Sequence, residues 1–188
     1  MLGSKTLSEK IKLIDLCTNI IFNSFWSKNQ FLMDLPPQYK KSQKLIVIHQ
    51  SINKKKINLN KKQKLISFVG KLNSAKGYDI FGKTIIKILN KYPDWCANVI
   101  GDEPREEFNF NHKNLKMLGF KKHNEVLSNF EKTSIAVVCS RWNEPFGRTS
   151  LEASSRGCGV IISNSGGHTE TITNGIILKN LNSKRLFF

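Results

Sequence analysis

The sequence predicts an α/β protein built on a doubly wound parallel sheet, and three observations carry that expectation. Between residues 64 and 178, short apolar runs alternate with stretches of helical periodicity, the order left by successive strand–helix–strand units. The run at 134–139, S-I-A-V-V-C, is apolar without alternation, as befits a strand covered on both faces. A length of 188 residues holds one well-buried core and is too short for two ordinary domains.

Residues 1–52 show no regular pattern, and 53–63, N-K-K-K-I-N-L-N-K-K-Q, are polar and charged and read as a linker. The first strand is expected over 65–69, closed by Gly70. A helix follows over 78–91, where Ile80, Phe81, Thr84, Ile85, Ile88 and Leu89 make one apolar stripe, and Pro93 stops it. Strands are expected at 97–100, before Gly101-Asp102, and at 115–118, before Gly119. A helix over 124–132 leads into the buried strand at 134–139. The helix at 148–156 is closed by Gly157, and a strand at 160–163 precedes Gly166-Gly167 and a short helix around 168–173. A last strand at 176–178 makes about six in all, joined by crossover helices.

Composition narrows the classes of function. Hydrophobic content of 39% and charged content of 23% are those of a globular chain. No run approaches the roughly 18 apolar residues that span a bilayer, and the N-terminus lacks the pattern of a secretory signal, so the expected compartment is the cytoplasm. The four cysteines form no C-x-x-C pair and the four histidines are scattered, so neither a disulfide framework nor a metal site is expected. The formal charge of +16 has two readings. One is a polyanion partner, either nucleic acid or an anionic membrane surface. The other is compositional drift, because the excess is lysine accompanied by asparagine and isoleucine. Scarce arginine and the lack of interleaved aromatic and basic residues make nucleic acid the weaker candidate.

Doubly wound sheets bind ligands outside the carboxyl ends of their strands, so the loops after Val69, Ile100, Cys139 and Ser163 matter most. The first, G-K-L-N-S-A-K-G from Gly70 to Gly77, sets Lys71 and Lys76 just before a helix N-terminus, a place that favours anions. It is not a Walker loop, and by itself it reads equally well as an ordinary turn with solvated lysines. The loop after the buried strand, R-W-N-E-P-F-G-R-T-S-L-E, carries Glu144 and Glu152, two carboxylates able to accept hydrogen bonds from ligand hydroxyls. Gly147 lies where free helical N–H groups begin. The third, S-N-S-G-G-H from Ser163, is rich in donors and in flexible backbone.

With these motifs in this order, residues 64–178 resemble the C-terminal domain of the retaining glycosyltransferases of family 4. Glu144 to Glu152 matches the family's E-x7-E motif with Pro145-Phe146-Gly147 inside it. Gly70-Lys71 and Lys76-Gly77 match its phosphate loop, and Gly166-Gly167 with Glu170 matches its glycine pair and following glutamate. The resemblance implies a Rossmann-like doubly wound sheet, the C-terminal half of a GT-B fold, carrying a short N-terminal remnant. It implies a nucleoside-diphosphate sugar as donor, transferred with retention to a cell-envelope or glycan acceptor, with neither cofactor nor metal. Lys71 and Lys76 would neutralise the diphosphate, Glu152 would hold the ribose hydroxyls, and Glu144 would contact the donor sugar near its reacting carbon. Gly70, Phe146, Gly147, Arg148 and Thr149 complete the implied donor site.

The sequence departs from the family in places. Lys71 stands where arginine is frequent and Gly159 where proline is, and lysine lacks the bidentate fork of arginine. Residues 17–33 resemble only the last strand and helix of the family's N-terminal domain, and 44–53 its interdomain connection. The expected division is therefore an acceptor-domain remnant with connection over 1–52, a linker over 53–63 and a nucleotide-sugar-binding domain over 64–188. This reads as a fragment, a degenerate product or one subunit of a split enzyme, inactive without an acceptor half supplied by a separate subunit. An anionic membrane surface is a further candidate partner, placing the chain at the inner face of the membrane. Ile20, Ile21, Phe22, Phe25, Trp26 and Phe31 are expected either to find another surface on this chain or to form an exposed patch that lowers solubility. Competing readings are a non-catalytic nucleotide-sugar-binding module and, below it, a basic nucleic-acid-binding protein. A nucleotide-sugar epimerase of the same fold fits the E-x7-E spacing less well.

Overall fold

The computed structural model describes residues 6–53, 55–182 and 186. Its N-terminal part is regular where the sequence showed no pattern. Helix α1 (Leu7–Leu16) starts at a capping box, in which Thr6 Oγ1 accepts from Glu9 N at 3.3 Å and Glu9 Oε2 accepts from Thr6 N at 2.8 Å. Strand β1 (Ile20–Phe22), helix α2 (Phe25–Leu32), a single turn α3 (Pro37–Lys40) and strand β2 (Leu45–Val47) follow. β1 and β2 pair in parallel, Ile20 opposite Leu45. These elements are too short for periodicity to register, since each strand has only three residues. Of the apolar residues expected either to find another surface or to stand exposed, Ile20, Phe22 and Phe31 bury together with Ile14, Leu35 and Leu45 in a small core of their own. Ile21 and Phe25 remain 58% and 57% exposed. Lys10 is buried beneath this core, its ammonium 5.6 Å over the Phe31 ring and 3.7 Å from Asp34.

The segment expected as a linker packs against the end of a later helix and against Gly157, and includes a 3-10 turn at Leu59–Lys61. Lys62 then donates to Phe130 O at 2.9 Å and Thr133 O at 2.6 Å, closing the end of that helix. Strand β3 (Gln63–Val69) begins there and leads through helix α4 (Tyr78–Lys91) to β4 (Cys96–Ile100) and β5 (Leu115–Met117). Helix α5 (His123–Lys132), strand β6 (Thr133–Val138), helix α6 (Arg148–Ser155) and strands β7 (Gly159–Ser163) and β8 (Ile176–Leu178) complete the chain's main unit. The short helix expected around 168–173 is instead a 3-10 turn at Gly166–Glu170, where two glycines disfavour an α-helical start.

All neighbouring strands run parallel, in the order β5-β4-β3-β6-β7-β8. This is the doubly wound sheet the sequence predicted, with its direction reversing between β3 and β6. On one face Tyr78, Phe81, Ile85 and Leu89 of α4 cover Ile66, Phe68, Val99 and Val137. On the other, Val126 and Phe130 of α5 and Ala153 of α6 pack on Ile100, Ala136, Val160 and Ile162. Each large side chain so buried contributes about 1.5–3 kcal/mol relative to exposure. The β3–β6 seam also holds a buried polar knot. Ser67 Oγ lies 2.7 Å from Thr133 Oγ1 and accepts from Asn129 Nδ2 at 2.9 Å, which pins the register next to a local irregularity between Gln63 and Ile66.

Candidate functional site

Where β3 and β6 part, their loops diverge and open a crevice at the carboxyl end of the sheet. The two loops are stitched together. Arg141 N and Trp142 N both donate to Ala75 O, at 2.8 and 3.0 Å. Gly77 adopts φ +73° between the 3-10 turn Ser74–Lys76 and α4, and a Cβ there would stand 1.9 Å from Cys139 O, so only glycine fits. The Arg141 guanidinium donates to both Asp79 carboxylate oxygens, at 2.6 and 2.8 Å, and that hydrogen bonding holds Asp79 below the usual carboxylate range.

This stitching fixes Lys76 against Glu144, whose carboxylate Oε1 accepts from the Lys76 ammonium. Ser140 Oγ stands 3.4 Å from the same oxygen. The third loop lies flat on the second. Gly167 N donates to Glu144 O at 2.7 Å, and a Cβ on Gly166 would stand 2.1 Å from that oxygen. Gly147, at φ +95°, starts α6 without a side-chain cap, so the helix's first N–H groups face the crevice.

The result is a cavity of about 320 Å³. Of the nine residues singled out from the sequence, Gly70, Lys76, Glu144, Phe146, Gly147, Arg148 and Thr149 line it. Lys71 is exposed outside this lining. Glu152 also lies off the lining, 8% exposed, where it accepts from Arg148 at 3.3 and 3.4 Å and sits 3.8 Å from His123 Nδ1. Among the described residues, no three His, Cys, Asp or Glu side chains are grouped to hold a metal ion.

Two features escaped the sequence reading. His168 lines the cavity at 1% exposure, with no hydrogen-bond partner for Nδ1. Burial pushes its pKa down to about 4, opposed by the nearby Glu144 and reinforced by Lys76, so the ring is neutral near pH 7. Its position beside the glycine pair was visible, but its burial depends on Gly147, whose Cα faces the ring so closely that a Cβ would meet Cδ2 at 2.3 Å. The second feature is a clasp from the N-terminal unit. Phe25 N and Trp26 N donate to the Glu170 carboxylate at 2.7 and 2.8 Å, and His49 Nε2 lies 2.9 Å from it. Burial alone would raise the Glu170 pKa, yet the N–H groups of Trp26 and Phe25 and the His49 ring outweigh it and hold the carboxyl below its usual range. Ser24 and Ser27 hydroxyls both donate to Pro145 O, at 2.5 and 3.0 Å, and Asn23 and Gln50 reach the cavity wall.

The sheet order and the crevice at its switch point define an α/β protein of the doubly wound class. The chain belongs to the glycosyl transferases group 1 family, which matches residues 49–186. It is similar to spore coat protein SA of Bacillus subtilis, 30% identical over 126 residues that make up 60% of this chain and 33% of that one. It is also similar to the lipopolysaccharide core biosynthesis mannosyltransferase LpsB of Rhizobium meliloti, 29% identical over 132 residues, 65% of this chain and 37% of the other. In fold it matches HepE of Anabaena, solved in complex with UDP-glucose, at a TM-score of 0.73 and 18% identity, over 100% of this chain and 58% of that one. The chain thus spans about a third of the curated relatives it matches. No helix among the described residues is long and apolar enough to cross a membrane.

Proposed function

We propose that this chain binds a nucleoside-diphosphate sugar in the crevice between β3 and β6 and acts as the donor half of a retaining glycosyl transfer. The observation that carries the reading is the Lys76–Glu144 pair at the switch point, beside the uncapped N-terminus of α6. A diphosphate entering there replaces Glu144 as the partner of Lys76 and meets the free N–H groups of α6. As the glycosidic bond to the diphosphate breaks, charge grows on the leaving oxygen, and a cation fixed in a partly buried crevice stabilises it more than water does. Glu144, released from Lys76, is placed to contact the sugar near its reacting carbon, with the Phe146–Gly147 backbone behind it. Lys71 adds charge from the rim, and Glu152, at the first turns of α6, is assigned the ribose hydroxyls by moving off Arg148. These groups supply the charge neutralisation without a metal. HepE, solved with UDP-glucose, shares the fold and makes a uridine donor the first to try.

A second reading is a nucleotide-sugar-binding module without activity alone. On either reading the acceptor is a glycan or cell-envelope molecule, and a cytoplasmic site beside the membrane suits such acceptors. Calorimetry with UDP-, GDP- and ADP-sugars tests the donor site. The wild type is expected to bind one class, and Lys76→Ala to weaken it at least about tenfold, near 1.4 kcal/mol. A folded wild type that binds none of them would sink both readings. Transfer measured with and without a supplied acceptor half separates the enzyme from the module.

A further inference from the structure

At the far end of α6 from the crevice, about 12 Å along a helix of eight residues, lies a second, smaller cavity of about 50 Å³. It has room for one phosphate group and none for a nucleotide. Lys55, Lys56, Lys61 and Arg156 surround it, with Glu131 as its one acidic wall residue. We propose that this cavity is a phosphate-binding site, separate from the crevice and independent of the donor reading.

Arg156 carries the argument. It is 8% exposed, and among the described residues its Nη1 makes only long bonds of 3.4 Å to Asn53 O and 3.2 Å to Ser155 Oγ, while its buried Nε has no partner. A guanidinium so withdrawn from water and so poorly paired is costly unless an anion completes it. The usual alternative, that cations gather here to cap helix ends, is already answered by other groups. The last carbonyls of α6 accept from Arg156 N, Gly157 N and Cys158 N, and those of α5 accept from Lys62. Lys55 pairs with Glu131, while Lys56 and Lys61 have no ion pair among the described residues. The chain is also built to bring them there. Ile57 sits on Gly157 so closely that a Cβ would meet its Cγ2 at 2.6 Å, which lays the basic segment against Arg156. The negative ends of α5 and α6 oppose an anion, but each amounts to about half a charge, against four cations and one carboxylate.

The phosphate could be free or borne on a lipid headgroup, and the test separates these. Inorganic phosphate is titrated calorimetrically into the full chain, and the chain is co-sedimented with vesicles of phosphatidylcholine, alone or mixed with phosphatidylglycerol. Three variants accompany the wild type. Lys56→Glu with Lys61→Glu alters the exposed wall, Lys83→Glu with Lys87→Glu makes the same charge change on exposed positions of α4, and Lys76→Ala disables the crevice. Saturable phosphate binding that weakens about tenfold or more only in the Lys56/Lys61 variant identifies a free phosphate. Capture by the phosphatidylglycerol vesicles lost only in that variant, without measurable free-phosphate binding, identifies a headgroup. Equal losses in the two charge-reversed pairs, loss in Lys76→Ala alone, or no binding in either arm overturns the proposal.

Discussion

In the six-stranded sheet, helices cover both faces, and Phe81, Leu89 and Ile162 have 1%, 0% and 0% exposure. In the N-terminal unit, two strands of three residues share a small core, and its Ile21 and Phe25 stay 58% and 57% exposed. The large unit is held by apolar area. The small one is held to it largely by directed polar bonds, with Glu170 taking the two N–H groups at the start of α2 and Pro145 O taking two serine hydroxyls. The difference has a functional side, because those polar bonds end on the loop that carries Glu144 and on the glycine-pair loop packed against it. The N-terminal unit therefore braces one wall of the crevice while adding little to the main core.

Breaking each core in turn gives the largest contrast. Phe81→Ala is expected to cost about 3–5 kcal/mol and to shift the main urea transition of the whole sheet. Phe31→Ala removes a ring of equal burial, yet the shift of that main transition is expected to be smaller, with hydrogen exchange rising selectively over residues 7–47. Equal shifts would mean that the two units unfold as one. Next in size, Gly77→Ala places a methyl against Cys139 O at a left-handed φ of +73°, and is expected to cost about 2 kcal/mol or more and to loosen donor binding. Glu170→Gln tests the clasp itself. Loss of the charge at the α2 N-terminus is expected to cost about 1–2 kcal/mol, read as faster exchange in α2 with the sheet unchanged.

The smallest effect is the most diagnostic. Glu170 and His168 both have folded pKa values below their unfolded ones, so both contribute stability that is complete above the unfolded values and lost as pH falls. For His168 the loss begins near the ordinary histidine value of about 6.5 and runs to about 4. For Glu170 it begins near the ordinary glutamate value and runs below it. Acid titration of stability is thus expected in two stages. His168→Phe should remove the upper stage, and Glu170→Gln should shrink the lower, to which Asp79 also contributes, as followed by thermal melting across pH.

The sheet and most of the crevice were legible because their signals are local. Strands β3, β6 and β7 are runs of apolar residues ended by turn residues, and α4 shows a full stripe. The loops fall where a doubly wound sheet puts its ligands, so Lys76, Glu144 and Gly147 could be named before their geometry was known. The rest depends on contacts distant in sequence. Glu170 is 145 residues from Phe25, and nothing near either residue marks the bond between them. Glu152 was assigned from the resemblance to the E-x7-E motif, and a motif does not show that Arg148, four residues earlier, occupies its carboxylate. β1 and α2 fall where residues 17–33 resemble a strand and a helix, but α1 and the pairing of β1 with β2 were invisible because such short elements leave no period to detect.

The seam that joins β3 to β6 also sets the order of events in folding. Ser67 and Thr133 meet across it from 66 residues apart, and the crevice exists only once that closure is made. Closing so long a loop is entropically expensive, and a chain rich in such distant pairings folds slowly compared with a helical bundle. Ligand-binding capacity should therefore return in the last kinetic phase of refolding, after helical signal has recovered. No peptide carrying the loop alone, however faithful its sequence, should reproduce the site.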